Sequence, residues 1–147
     1  MTELIALGKR VLASQPFSEL LGAELTGLSD RDAELRLAIR PEMKQQHGFV
    51  HGGVLSYLAD NALTFAGGMA LGGNAVTSEF KINYIRPAIG DMLIARAQVV
   101  GLTRSQAVVR CDVLIVVDGV EKPCAAAQGT IATLPKRADD DTGPRVG

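Results

Sequence analysis

One aspartate stands in the middle of an apolar run and is the first residue of this chain that could do chemistry. Val54 to Leu71 is broken only by Ser56, Asp60, Asn61 and Thr64. A carboxylate there costs several kcal/mol unless it has a partner or faces water. On a helix Ser56, Asp60 and Thr64 fall at i, i+4 and i+8, so they share one stripe, with Gly67 and Gly68 continuing it. A stripe of polar and small residues on an otherwise apolar helix suggests a groove. Asp60 is then a general base or nucleophile, or else a hydrogen-bonded helical aspartate with no chemistry.

Gly52 and Gly53 lie just before that run. The N–H groups at a helix start have no intrahelical acceptor and favour negative charge. Glycine leaves room for a ligand to approach. That suits an oxyanion site, and it equally suits an ordinary loop-to-helix turn. His47 and His51 have i, i+4 spacing, which raises a metal pair. The zinc-protease pattern would need Glu after the first His and a helix. Here Gly48 follows, and Gly48 and Gly52 disfavour helix, so no metal and no cofactor is expected. The His51 ring is expected to bond nearby backbone. His47 is a loop residue or a substrate contact. Gly48 to Gly53 is not a phosphate loop, since no Lys-Ser/Thr follows. Cys111 and Cys124 lie in expected strands, where a buried, inert thiol is the default.

The elements that must position these residues follow from periodicity. Thr2 to Ser14 reads as a short amphipathic helix ended by Pro16. Ala23 to Leu28 and Asp32 to Ile39 read as strands, the second alternating cleanly. Pro41 to Gly53 reads as a loop. Val54 to Leu71 lacks β-like alternation and is apolar nearly all round, which predicts a buried helix closed by Gly72-Gly73-Asn74. Four strands follow: Ala75 to Ile85, Asp91 to Gly101, Ser105 to Val117 and Val120 to Leu134. Asp118-Gly119 is a hairpin signal between the last two. Pro123 predicts a bulge or an edge position. On the first of these strands Thr77 alternates with Glu79, Lys81 and Asn83, opposite Val76, Phe80, Ile82 and Tyr84. The order predicts an α+β fold, a hotdog fold, with an antiparallel sheet wrapped around one long central helix.

Bulk properties narrow the classes. The 147 residues fit one domain, and 47% hydrophobic with 21% charged residues is ordinary for a folded soluble protein. A formal net charge of -1 gives no basic excess for nucleic acid or an anionic membrane. Two cysteines make no disulfide framework, and the acidic Met1-Thr2-Glu3 start is unlike a signal peptide. The expectation is a cytoplasmic protein with its domain over 1–135. Lys136 to Gly147 reads as a disordered tail.

Gly48-Phe49-Val50-His51-Gly52-Gly53 with Leu58-Ala59-Asp60 resembles the signature of the small hotdog acyl-CoA thioesterases of the phenylacetate-pathway type. Thr77 and the run Tyr84-Ile85-Arg86-Pro87-Ala88 with Gly90 resemble that family's strand after the central helix. The resemblance covers about residues 18 to 134. It implies hydrolysis of an acyl-CoA to free acid and CoA. Asp60 would attack or activate water, the Gly52 N–H would polarise the carbonyl, and Thr77 would assist. Gln45 stands where several relatives carry Asn; it can donate the same amide hydrogen bond but is one methylene longer. His47, His51, Gly53, Ser56 and Thr64 would contact substrate, and Arg86 and Arg104 could pair with CoA phosphates. A non-catalytic acyl-CoA binding or sensing module on the same fold is the alternative. A hydratase would want an Asp-His pair that does not follow Asp60. Gly52 and Asp60 are about 12 Å apart along a helix. One chain can hardly bring both to one carbonyl, which predicts a homodimer, assembled further into a homotetramer as relatives often are.

Overall fold

The computed structural model describes residues 2–135, so the expectation for the tail at 136–147 lies outside the described residues. The elements are α1 (Thr2–Ala13), α2 (Pro16–Leu21), β1 (Glu24–Leu28), β2 (Asp32–Ala38), α3 (Gly52–Leu71), β3 (Ala75–Tyr84), β4 (Met92–Leu102), β5 (Gln106–Val117) and β6 (Val120–Thr133). One six-stranded sheet has the order β1-β2-β4-β5-β6-β3, antiparallel at every pairing, and α3 packs against one of its faces. This is the hotdog arrangement that the sequence predicts.

Packing explains why α3 sits where it does. Leu58, Ala59, Ala62, Leu63 and Ala66 are fully buried against the sheet. Small side chains bring helix and sheet close: a Cβ on Gly67 would stand 2.7 Å from Ile131 of β6. Truncating Leu58 or Leu63 to Ala would cost about 2–5 kcal/mol. From Val54 on, no α3 residue is exposed, yet Ser56, Tyr57, Asp60, Asn61 and Thr64 are only half-buried. The polar stripe therefore lies on the side of the helix turned away from the core.

Pro16 ends α1 as expected, but it also opens a helix that was not expected, α2. Proline at the first helical position loses no intrahelical hydrogen bond and has a suitable φ, so one residue serves both ends. Asp118 and Gly119 take φ of 49° and 74° in the β5–β6 hairpin, as a tight two-residue turn requires. The pairs Val113–Ala125 and Leu114–Pro123 leave Cys124 as an extra residue. Pro123 also lies beyond the β3–β6 ladder, which ends at Ala125. It thus has both the bulge and the edge position.

A second bulge changes the reading of β3. Thr77 pairs with Ile131 and Glu79 with Thr130, so Ser78 is the extra residue. An extra residue reverses the faces beyond it. Thr77 therefore shares the inner face with Phe80, Ile82 and Tyr84, not the outer face with Glu79, Lys81 and Asn83. Val76 correspondingly points outward and is 45% exposed.

Candidate active site

The inward turn of Thr77 completes a set of contacts between α3 and β3. Thr77 Oγ1 donates to Asp60 Oδ1 at 2.5 Å. Thr64 Oγ1 lies 3.0 Å from Thr77 Oγ1 and 2.8 Å from the Asp60 carbonyl oxygen. Each hydroxyl carries one proton. With Thr77's proton on the carboxylate, Thr64 supplies either its own back-bond to the helix or the bond to Thr77. One turn earlier, Ser56 Oγ is 2.7 Å from Tyr84 OH, which donates to the Gly52 carbonyl oxygen at 3.0 Å. One turn later, a Cβ on Gly68 would be 3.8 Å from Ala75 Cβ. The stripe Ser56, Asp60, Thr64, Gly68 thus follows the inner face of β3. Gly67, expected on that stripe, belongs instead to the packing against Ile131.

Asp60 is half-buried, with its carboxylate fixed by one donor on an edge strand. That combination keeps a carboxylate oriented while water can still reach it.

The other expected site residues gather at the N-terminus of α3. His51 is its N-cap: the ring Nδ1 accepts from Gly53 N–H at 2.8 Å, and its backbone N–H donates to the Met43 carbonyl at 2.8 Å. The expected backbone role of the His51 ring is what the geometry gives. No protein acceptor for the Gly52 N–H is found among the described residues. Gln45 Oε1 accepts from the His47 N–H. The Gln45 N–H donates to the Phe49 carbonyl, and Gly48 closes the turn at φ 83°. His47 is exposed, with its ring centroid 6.2 Å from that of Phe49. The loop leads into α3, and Gly52 at the helix start lies about 12 Å along the helix from Asp60.

Arg86 and Arg104 do not come together. Arg86 follows β3 near Cys124, while Arg104 is in the β4–β5 turn beside Ser105, whose carbonyl bonds Thr133 at the far end of the sheet.

Two features were missed by reading the sequence. Tyr84 was read as an apolar face residue and as part of the motif run, with no role for its hydroxyl, although a tyrosine hydroxyl near a core usually finds a partner. A polar cluster also ties the α1–α2 corner to α3. Tyr57 OH donates to Ser18 Oγ at 2.6 Å, Ser18 donates to Gln15 Oε1 at 2.6 Å, and Asn61 Nδ2 reaches Gln15, Ser18 and Tyr57 at 3.2–3.3 Å. Tyr57 and Asn61 at i, i+4 on a buried helix were its signal. Both cysteines are buried, and burial pushes the Cys111 thiol up to about 12 and the Cys124 thiol up to about 11.

Comparison with known proteins identifies the family. Residues 47–121 match the sequence model of the Thioesterase superfamily. A Halobacterium salinarum protein provisionally classed as an esterase is 32% identical over 117 residues, 74% of this chain and 77% of its own. The acyl-coenzyme A thioesterase PaaI of Escherichia coli K12 is 34% identical over 83 residues, 56% of this chain and 59% of its own. The structure of E. coli PaaI, from the phenylacetic acid degradation operon, superimposes with a TM-score of 0.78 at 25% identity, covering 89% of this chain and 94% of its own. A crystal structure of a thioesterase family protein from Silicibacter pomeroyi gives 0.84 at 32% identity, covering 90% and 99%. The chain therefore belongs to the thioesterase superfamily, as a PaaI-like hotdog thioester hydrolase.

Proposed function

We propose that the chain hydrolyses an acyl-CoA thioester to free acid and CoA, at two equivalent sites of a homodimer. The observation that carries this is the Asp60 carboxylate, half-buried and held at 2.5 Å by Thr77 on an edge strand. The CoA part of the reading is supported by the name of the PaaI relative.

As general base, Asp60 takes a proton from water, and the resulting hydroxide attacks the thioester carbon. As nucleophile, Asp60 attacks directly, and water then hydrolyses the mixed anhydride. In either route the tetrahedral oxyanion collapses and the C–S bond breaks; the sulfur takes the proton held by Asp60 in the first route and a proton from water in the second, where hydrolysis of the anhydride then regenerates the Asp60 carboxylate. The Gly52 N–H, at the positive end of the α3 dipole, stabilises the oxyanion. Since Gly52 lies two turns from Asp60 of its own chain, the partner subunit supplies that N–H. Gln45, whose Oε1 is engaged by His47, can offer its amide N–H to the same carbonyl.

The exposed edge of β3 supports such a dimer. Among the described residues its outer edge has no strand partner, and Val76, Tyr84 and Ile85 are 45%, 54% and 52% exposed. An unpaired strand edge is a template for pairing. A two-fold pairing of β3 with β3 would lay the two α3 helices side by side. His47, His51, Gly53, Ser56 and Thr64 then line the substrate path, Arg86 at the Tyr84 end of β3 reaches CoA phosphates, Arg104 at the opposite end could do so only from another subunit, and a homotetramer follows from further pairing. Among the described residues no helix is long and apolar enough to cross a membrane. The two free, buried thiols fit a reducing, cytoplasmic setting.

The test is Asp60→Asn, assayed on acetyl-, octanoyl-, benzoyl- and phenylacetyl-CoA. The variant should lose about 10²-fold or more in kcat on whichever esters the wild type cleaves. It should still bind a non-hydrolysable thioether analogue. Full activity in Asp60→Asn would make Asp60 structural. Tight binding by the wild type without turnover of any ester would favour a sensing module.

A further inference from the structure

An apolar groove of about 480 Å³ runs along α3, between α1 and the start of β3. Helix α3 contributes Phe65 and Gly68, α1 contributes Leu7 and Val11, and β3 contributes Ala75. The groove reaches Thr64, whose hydroxyl is 3.0 Å from the hydroxyl that holds Asp60. From Thr64 to the end of α3 is about 10 Å of helix, and the groove continues past that end over Gly72 and Gly73. Leu7 and Val11 are 47% and 45% exposed although they line an apolar channel, so much of their surface is left for an occupant.

We propose that this groove holds the acyl chain of the substrate, and that the preferred substrates are straight-chain acyl-CoAs of medium length. The inference rests on reading Asp60 as the hydrolytic centre. With the thioester carbonyl at Asp60, the acyl carbons pass Thr64 and follow α3 towards its C-terminus, while CoA leaves towards the helix N-terminus. The groove is long; Leu7, Val11, Leu28, Met69 and Ala75 give it an aliphatic lining, and Gln15, Asn61, Thr64 and Asn74 add polar groups. Its one aromatic, Phe65, is 9% exposed and offers little ring face for stacking against an aryl group. Gly68 sets the width. A Cβ there would be 3.6 Å from the Gly73 carbonyl oxygen and 3.8 Å from Ala75 Cβ, ordinary contact distances, so a side chain begun there takes up groove space.

Two plugs on opposite walls test this: Gly68→Leu on α3 and Val11→Trp on α1. The readout is the ratio of kcat/KM for octanoyl-CoA to that for acetyl-CoA, with folding checked by circular dichroism. In the wild type, kcat/KM should rise from acetyl to octanoyl and exceed that for benzoyl- and phenylacetyl-CoA. Each folded plug should lower the octanoyl-to-acetyl ratio by about ten-fold or more. A flat or aryl-preferring wild type would overturn the proposal even if both plugs failed to fold. An unchanged ratio in a folded plug would overturn it too. So would a plug that altered the sedimentation coefficient and left the ratio alone, because the groove would then be a subunit contact. If the wild type cleaved nothing, the Asp60 reading would fail separately. Calorimetry with octyl-CoA and ethyl-CoA thioethers would still decide the groove: octyl should bind about ten-fold more tightly or better, and both plugs should abolish that preference. Equal affinities would overturn it.

Discussion

Thr77 Oγ1 lies 2.5 Å from Asp60 Oδ1 across seventeen residues of chain, and the one-residue bulge at Ser78 turns Thr77 towards the helix. Without that bulge, the threonine could not share the inner face with Phe80, Ile82 and Tyr84.

Removing that hydroxyl without changing the side-chain volume isolates its role. Thr77→Val should lower kcat by about ten-fold or more, since hydrogen bonds to charged groups contribute about 1.5–3 kcal/mol. KM should move much less, and Thr77→Ser should restore most of the rate. Equal kcat in Thr77→Val and wild type would make the contact structural only.

A composite site can be tested by complementation. Gly52→Pro lacks the N–H yet suits the first helical position. A Cβ on Gly52 also stands 3.1 Å from Tyr84, so Gly52→Ala is the control: it has the same crowding and keeps the N–H. Gly52→Pro should fall about 10²-fold or more below Gly52→Ala in kcat. Co-expressed with Asp60→Asn, it should recover about a quarter of wild-type activity, as about half of randomly formed dimers are mixed and each has one intact site. Failure of the mixture to exceed either parent would rule out sharing between subunits.

The adjacent glycines Gly67 and Gly68 should respond oppositely to the same substitution. Gly67→Ala drives a methyl to 2.7 Å from Ile131, whereas Gly68→Ala meets only ordinary contacts. The first should cost about 1–3 kcal/mol of unfolding free energy. The second should add about 0.5–1 kcal/mol, the usual gain of alanine over glycine inside a helix. Urea unfolding monitored by far-ultraviolet circular dichroism reads both. The same sign for both would contradict this placement of α3.

The thiols should be unreactive in the folded protein. The thiolate is the nucleophile, and burial raises Cys111 to about 12 and Cys124 to about 11, with the Asp112 charge adding to the effect at Cys111. Iodoacetamide at about pH 8 should label neither residue in native protein, and both in urea. Native labelling at either position, read by mass spectrometry, would show that this part of the sheet opens.

Much of this protein is determined locally and is therefore legible in the sequence. Apolar periodicity marks α3 and the strands, because helix and strand repeats expose different residues to a core. Asp118-Gly119 encodes its own turn, since few other residues accept two positive φ values. Asp60 is conspicuous because a carboxylate on an apolar helix needs a reason. The tertiary structure decided what depends on a partner distant in the chain. The bulge at Ser78 exists only as a register between β3 and β6, so strict alternation put Thr77 on the wrong face. The division of labour between Gly67 and Gly68 depends on Ile131 lying under one of them. Tyr84 becomes part of the site only because β3 returns alongside α3 and brings its hydroxyl to Ser56 and Gly52. A side chain's neighbours along the chain set its conformational preference; the groups that satisfy its hydrogen bonds come from pairing and packing, which one-dimensional patterns do not contain.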